Sequence, residues 1–284
     1  MKGLTAGIAE GSHALVWVTG ADAVSFLDGQ ISQDVAAMAS GEVRRAFLLE
    51  PRGKLRAMLW VLRGEERTGL VVQSDGAAAV VSNLEQFRFR VKAELTIDPR
   101  PGHSVWGGAA AAAGWAEGTE GLTVTTPARW SVVFAPSPPE GTVLTADQFA
   151  AHRIAAAEPW FGSDVDEGTI PQETGLVPES VSFTKGCYLG QELVARIDSR
   201  GHVNRLLRRL DGTGSVPPFG AEVLHGGTAV GTTGTTAPLG EDWAGLAVLR
   251  REAAPGDAVV VRWKGGESAA VVAETSHSPN AATR

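Results

Sequence analysis

The sequence predicts an α+β protein whose C-terminal part is a small β-barrel or sandwich, and three observations carry that prediction. In the first hundred residues, apolar runs of strand length alternate with helix signals in two β-β-α-β-like stretches. Beyond Arg205 the pattern changes to short strands separated by Gly and Pro, the mark of a small barrel or sandwich. At 284 residues the chain exceeds the usual size of one hydrophobic core, so two or three subdomains are expected.

Taken in order, Ala14–Val18 reads as a strand, and Asp22 is placed to cap a following helix. Arg44–Glu50 and Leu55–Arg63 form a hairpin, because Pro51-Arg52-Gly53-Lys54 between them is turn chemistry. Gly69–Gln73 continues as a strand, Ser74 or Asp75 can cap a helix across Gly76–Phe87, and Arg88–Ile97 alternates as a strand. From Asp98 to Glu140 the composition turns to Gly, Ala, Pro and Ser, with weaker strands at Leu122–Thr125 and Trp130–Phe134; a second sheet unit and a long surface excursion both fit.

Thr145-Ala146-Asp147-Gln148 matches a capping box and starts a helix that stops near Glu158, since Pro159 follows. The irregular run from Trp160 to Thr184 is too long for a simple connection and is expected to line a site. The barrel strands are expected at Leu206–Leu210, Glu222–Leu224, Thr228–Thr235, Gly245–Leu249, Val259–Trp263 and Ala269–Ala273. The domain expectation is a region 1–204 of two α+β subdomains with a boundary near 98–120, a barrel over 205–275, and a disordered tail over 276–284.

Composition narrows the class of function. One cysteine excludes an intramolecular disulfide, and the N-terminus lacks the apolar run of a signal peptide. No stretch approaches the roughly 20 apolar residues that span a bilayer. A cytoplasmic protein is expected. The formal net charge of −7 weighs against direct nucleic-acid binding as the main activity, because counterion release needs clustered Lys and Arg. Arg196, Arg200, Arg205, Arg208 and Arg209 do crowd one short region, which reads either as a solvated face or as an anion site. The six histidines are scattered and there is no C-x-x-C pair, so no metal site is expected; one cysteine cannot hold an iron–sulfur cluster alone.

The most informative stretch is Lys185-Gly186-Cys187-Tyr188-Leu189-Gly190-Gln191-Glu192. It sets the single thiol beside a lysine and before a helix expected to begin near Tyr188 from the spacing of Tyr188/Leu189, Leu193 and Ile197. A helix N-terminus and a nearby cation both favour a thiolate. The same residue also reads as a small buried hydrophobe.

This octapeptide resembles the K-G-C-Y-x-G-Q-E signature of the YgfZ-type folate-binding proteins, relatives of the aminomethyltransferase of the glycine cleavage system. Phe26-Leu27-Asp28-Gly29-Gln30-Ile31-Ser32-Gln33-Asp34-Val35 is similar to the family's F-L-x-G-Q-x-x-x-D-V, and Leu48-Leu49-Glu50-Pro51-Arg52-Gly53-Lys54 to its L-L-x-P-x-G-K/R hairpin. Arg153 to Pro159 is similar to its R-x-x-x-G-x-P segment.

The resemblance implies a folate-binding fold of sheet-plus-helix subdomains with the small barrel, and tetrahydrofolate or a derivative as ligand. It implies Cys187 and Lys185 as the chemical pair, and Glu158, Arg205, Tyr188, Gln191 and Glu192 as ligand contacts. Glu158 would accept hydrogen bonds from the pterin, and Arg205, against Arg196 or Arg200, would meet the glutamyl carboxylates or hold Glu158. The implied role is support of iron–sulfur cluster assembly or repair through transient contact with client proteins, with an indirect effect on tRNA modification. The alternatives are a tetrahydrofolate-dependent aminomethyltransferase and an interaction module that binds no folate. The transferase wants an acid on the helix after Val71-Val72-Gln73-Ser74, where this chain has Ala77, Ala78 and Ala79 and only Asp75 nearby.

Overall fold

A computed structural model describes residues 4–108, 112–119, 121–128, 130–201 and 203–275, with Arg200 described by its backbone alone. The tail expected to be disordered, 276–284, lies outside the described residues, as do His202 and His277. Two compact units divide the chain. A sheet unit comprises Thr5–Leu144 and Pro178–Ala195, and a barrel unit comprises Thr145–Val177 and the chain from Arg196, with Leu4. Thr145–Val177 therefore groups with the barrel, although the sequence places it with the sheet region.

In the sheet unit, nine strands among the described residues form one antiparallel sheet. They are β1 (Gly7–Thr19), β2 (Val43–Leu49), β3 (Leu55–Arg63), β4 (Arg67–Gln73), β5 (Glu94–Ile97), β6 (Gly102–Trp106), β7 (Gly114–Glu117), β8 (Leu122–Thr125) and β9 (Ser131–Phe134). Their order is β2-β3-β4-β1-β6-β9-β8-β7, with β5 also paired to β1. The expected boundary near 98–120 is not present, because β6 pairs with both β1 and β9 and carries the sheet across that stretch. Strands β6 and β7 are not among the expected ones; each is only four or five residues long and opens on a glycine.

One face of this sheet is covered by α1 (Ala23–Gln30) and α2 (Ala77–Glu85), whose Phe26, Leu27, Val80 and Leu84 pack with Val16, Val18, Leu59, Val61 and Leu70 into a dry core. Two capping expectations need correction. Asp22 precedes α1, but its carboxylate accepts the Lys92 N–H at 2.8 Å instead of capping its own helix. Asp75 lies in a 3-10 turn, and Gly76 is the residue before α2, with no side-chain cap. The strand expected over Arg88–Ile97 is restricted to Glu94–Ile97, since Arg88–Ala93 is spent on a loop tied back to Asp22.

The barrel unit holds α3 (Ala146–Ala155) and six strands: β10 (Arg205–Thr213), β11 (Glu222–His225), β12 (Thr228–Leu239), β13 (Asp242–Arg250), β14 (Ala258–Trp263) and β15 (Gly266–Ala273). They close in the order β10-β13-β12-β11-β14-β15, so no edge is left for another chain to extend. Leu210, Val223, Val230, Trp243, Leu249, Val261 and Val272 fill the interior. The capping box of α3 is formed as the sequence predicts: Gln148 N–H donates to Thr145 Oγ1 at 3.2 Å, and Thr145 N–H donates to Gln148 Oε1 at 2.9 Å.

Candidate functional site

Three sequence motifs far apart in the chain meet in the sheet unit. The end of α1 leaves backbone carbonyls without helical partners, and the signature octapeptide supplies donors for them. Lys185 Nζ donates to the carbonyl oxygens of Asp28 at 2.5 Å, Ile31 at 3.0 Å and Gln33 at 2.7 Å, and Leu189 N–H donates to Gly29 O at 3.1 Å. The ammonium also lies 3.2 Å from Asp28 Oδ1, which accepts the Val35 N–H at 2.9 Å. A cation at a helix C-terminus is favoured by the helix dipole as well as by these bonds.

The hairpin motif meets the octapeptide through two glycines. Gly53 and Gly190 have φ of +83° and +80°, a region that disfavours any residue with a Cβ. A Cβ on Gly190 would stand 2.5 Å from Glu50 O and 2.9 Å from Leu49 Cβ, and one on Gly53 would stand 2.6 Å from Leu193 Cβ. The backbones can approach this closely only because both side chains are absent. A cleft of about 340 Å³ results, lined by Gly29, Gln30, Pro51, Cys187, Tyr188 and the turn from Leu189 to Glu192. Gln30 Oε1 is buried there with no hydrogen-bond partner among the described residues.

Within the cleft, Cys187 is exposed, Tyr188 is buried, Gln191 is half-buried and Glu192 is exposed. Burial pushes the Tyr188 phenol up to about 12. Gln191 Oε1 accepts the Tyr188 N–H at 3.2 Å and so holds the turn. The expected helix start is corrected: α4 (Gln191–Arg200) begins after Gly190, so Cys187 stands before the first turn and not on it. Lys185 is corrected too. Its side chain is 1% exposed and its ammonium is engaged by three carbonyls and Asp28, which makes it a structural tie and not a cation acting on the thiol. Desolvation pushes this ammonium below its ordinary pKa, and the charges of Asp28 and Asp34 oppose that shift. Cys187 is also not the buried hydrophobe of the alternative reading.

The barrel unit carries the other two predicted contacts. Glu158 is buried in the turn after α3, where its N–H donates to Arg153 O at 2.8 Å and its own carbonyl accepts from Arg153 Nη1 at 3.3 Å. Ala157 just before it has φ +51°, at the position where the R-x-x-x-G-x-P pattern has glycine. Arg153 further binds Asp164 Oδ2 at 2.9 Å and Thr235 Oγ1 at 2.9 Å, and Asp164 accepts the N–H groups of Trp160 and Thr235. The sequence reading passed over this buried pair, whose arginine and aspartate are separated by eleven residues without a motif.

Arg205 donates from Nε to Glu173 Oε1 at 2.8 Å, so it holds Glu173 and not Glu158. Arg205 and Arg250, opposite each other on β10 and β13, line a larger cavity of about 680 Å³ that the 162–169 loop also borders. Of the long irregular run, only residues within 162–169 border this cavity. Trp160 is packed edge-on to Phe149 with ring centroids 5.5 Å apart.

No protein-family model matches the chain. The sequence is 27% identical over 259 residues to the tRNA-modifying protein YgfZ of Yersinia pestis (strain Pestoides F), covering 81% of this chain and 74% of that protein. It is 28% identical over 238 residues to the protein of the same name from Edwardsiella ictaluri, covering 73% and 71%. The crystal structure of glycine cleavage system aminomethyltransferase T from Bartonella henselae has a TM-score of 0.82 over 96% of this chain and 86% of that one, at 18% identity, which shows a common fold. Among the described residues no helix is long and apolar enough to cross a membrane. The likeness in sequence and the likeness in fold agree: this chain is similar in sequence to the YgfZ proteins and shares the fold of the aminomethyltransferase.

Proposed function

We propose that the chain binds tetrahydrofolate or a derivative and supports the assembly or repair of iron–sulfur clusters in client enzymes of the cytoplasm, with its effect on tRNA modification passing through such enzymes. The observation that carries the proposal is the convergence of three motifs on one cleft that leaves Cys187 exposed. An exposed thiol on a glycine-tightened turn is suited to transient contact with a client.

The residues present fit the ligand. Glu158, in the barrel unit, is a buried carboxylate, the acceptor type that matches the adjacent 2-amino group and ring N–H of a pterin. Arg205 is half-exposed on its way to Glu173, leaving guanidinium N–H groups for a glutamyl carboxylate. When bound, a reduced folate would supply one-carbon chemistry; the protein's part is to bind and orient it. Tyr188, Gln191 and Glu192 belong to the cleft wall.

Aminomethyl transfer is the second reading, favoured by the shared fold. Against it, Asp75 sits exposed in a turn before α2, and Ala77, Ala78 and Ala79 occupy the start of that helix. Calorimetric titration with tetrahydrofolate tests the proposal. Binding that weakens by about 1–3 kcal/mol in Glu158→Gln supports it. Turnover of an aminomethylated carrier protein would establish the second reading, and the absence of binding would leave the chain as an interaction module.

A further inference from the structure

The loop between α2 and β5 reads Phe87-Arg88-Phe89-Arg90-Val91-Lys92, aromatic and basic residues in alternation. Phe89 is 80% exposed and Phe87 is 40% exposed. The Arg90 guanidinium lies 5.1 Å from the centre of the Phe89 ring, and neither Arg90 nor Lys92 has an ion pair among the described residues. Two unpaired cations beside two open rings stand out in a chain of net charge −7.

The loop is also built to hold this display. Arg88 is bound at both ends, with Nε 2.6 Å from Glu85 Oε2 and Nη1 donating to Ala93 O at 3.0 Å. The Lys92 backbone is clasped by Asp22 in both directions, N–H to Oδ2 at 2.8 Å and carbonyl from Asp22 N–H at 3.1 Å. Gly20 is required beneath it, since a Cβ there would overlap Lys92 O. Arg90 keeps a left-handed φ of +60°. A hollow of about 300 Å³, lined by Thr19, Gly20, Arg88, Val91, Lys92 and Ala93 together with Glu94, lies beside the loop.

We propose that this loop is a contact surface for single-stranded nucleic acid, in which bases stack on Phe87 and Phe89 while Arg90 and Lys92 meet the flanking phosphates. Stacking platforms interleaved with cations are how sequence-tolerant single-strand binding is built. The overall negative charge argues against binding over a broad surface, and a short local contact of two cations is compatible with it. A membrane surface is the weaker occupant, because only two rings are offered and a polar hollow adjoins them, where insertion needs a continuous apolar face. The inference is independent of folate.

Fluorescence anisotropy with labelled U12 and dT12 oligonucleotides on the full chain tests it, and the two probes separate RNA from DNA. Binding in the micromolar range at 50 mM salt is expected, about ten-fold weaker in Phe89→Ala. The salt slope should be close to −1.4 for two neutralised phosphates, and it should fall by about half in Lys92→Gln. Phe89 and Lys92 are exposed, so both variants should keep the wild-type melting temperature, and Arg196→Gln should bind as the wild type does. The proposal is overturned if neither oligonucleotide binds at 50 µM protein, if Phe89→Ala binds unchanged, or if the loop variants lose affinity only for phosphatidylserine vesicles.

Discussion

The Lys185 ammonium closes the C-terminal end of the helix that carries Asp28, accepted by that residue's carbonyl at 2.5 Å and lying 3.2 Å from its carboxylate. One buried side chain thereby joins the octapeptide to the first motif, 157 residues away in the sequence.

Lys185→Met should therefore destabilise the protein by about 3 kcal/mol, since it strands three carbonyls and a carboxylate around an apolar side chain. Urea denaturation measures the loss. An unchanged midpoint would mean that the tie contributes nothing to folding.

Tyr188 is the only tyrosine in the chain, so absorbance at 295 nm reads its ionisation alone against the tryptophan background. In the folded protein the phenolate should appear near pH 12, and in urea near the ordinary value of about 10. The folded pKa is the higher one, so the protonated phenol contributes stability that is present below about pH 10 and lost as pH rises toward 12. A folded-state titration at 10 would place the ring in water.

Asp98 gives the acid-side counterpart. Arg100, bound to both of its carboxylate oxygens, holds it down to about 2 against the cost of burial, with the Trp17 indole N–H donating as well. The folded pKa is the lower one, so its contribution is present above the ordinary aspartate value of about 3.9 and lost as pH falls through 2. Asp98→Asn should lose about 2 kcal/mol at pH 7 and flatten the stability profile between pH 4 and 2, as followed by thermal melts.

Ala157→Gly should stabilise the barrel unit by about 0.5–1 kcal/mol, because φ +51° strains a residue with a Cβ by more than glycine loses in the unfolded chain. The reverse experiment in the sheet unit, Gly190→Ala, should cost several kcal/mol through its clash with Glu50 O. Melting temperatures of the two variants should move in opposite directions.

Cys187→Ala should leave the midpoint within about 0.5 kcal/mol of the wild type, since the thiol is exposed. Maturation of iron–sulfur client enzymes in cells is the readout that should fall. Full client activity with the alanine variant would remove the thiol from the function.

By itself the sequence determined the elements whose signals are local. The Pro51–Lys54 hairpin, the Thr145 capping box and the barrel strands follow from turn chemistry, side-chain capping and period-two patterning, which act within a few residues. It also marked the motifs that share a cleft, by their composition. What each motif residue does was left to the tertiary structure, because donors and acceptors far apart in the chain must meet before any is spent or spared. Lys185 looked like a partner for the thiol and is used up on the carbonyls of Asp28, Ile31 and Gln33. Arg205 looked like a holder of Glu158 and holds Glu173. Strands β6 and β7 follow the same logic: each is too short for an alternating pattern to form, and they are strands because β1, β8 and β9 supply the hydrogen bonds that only a folded sheet can offer.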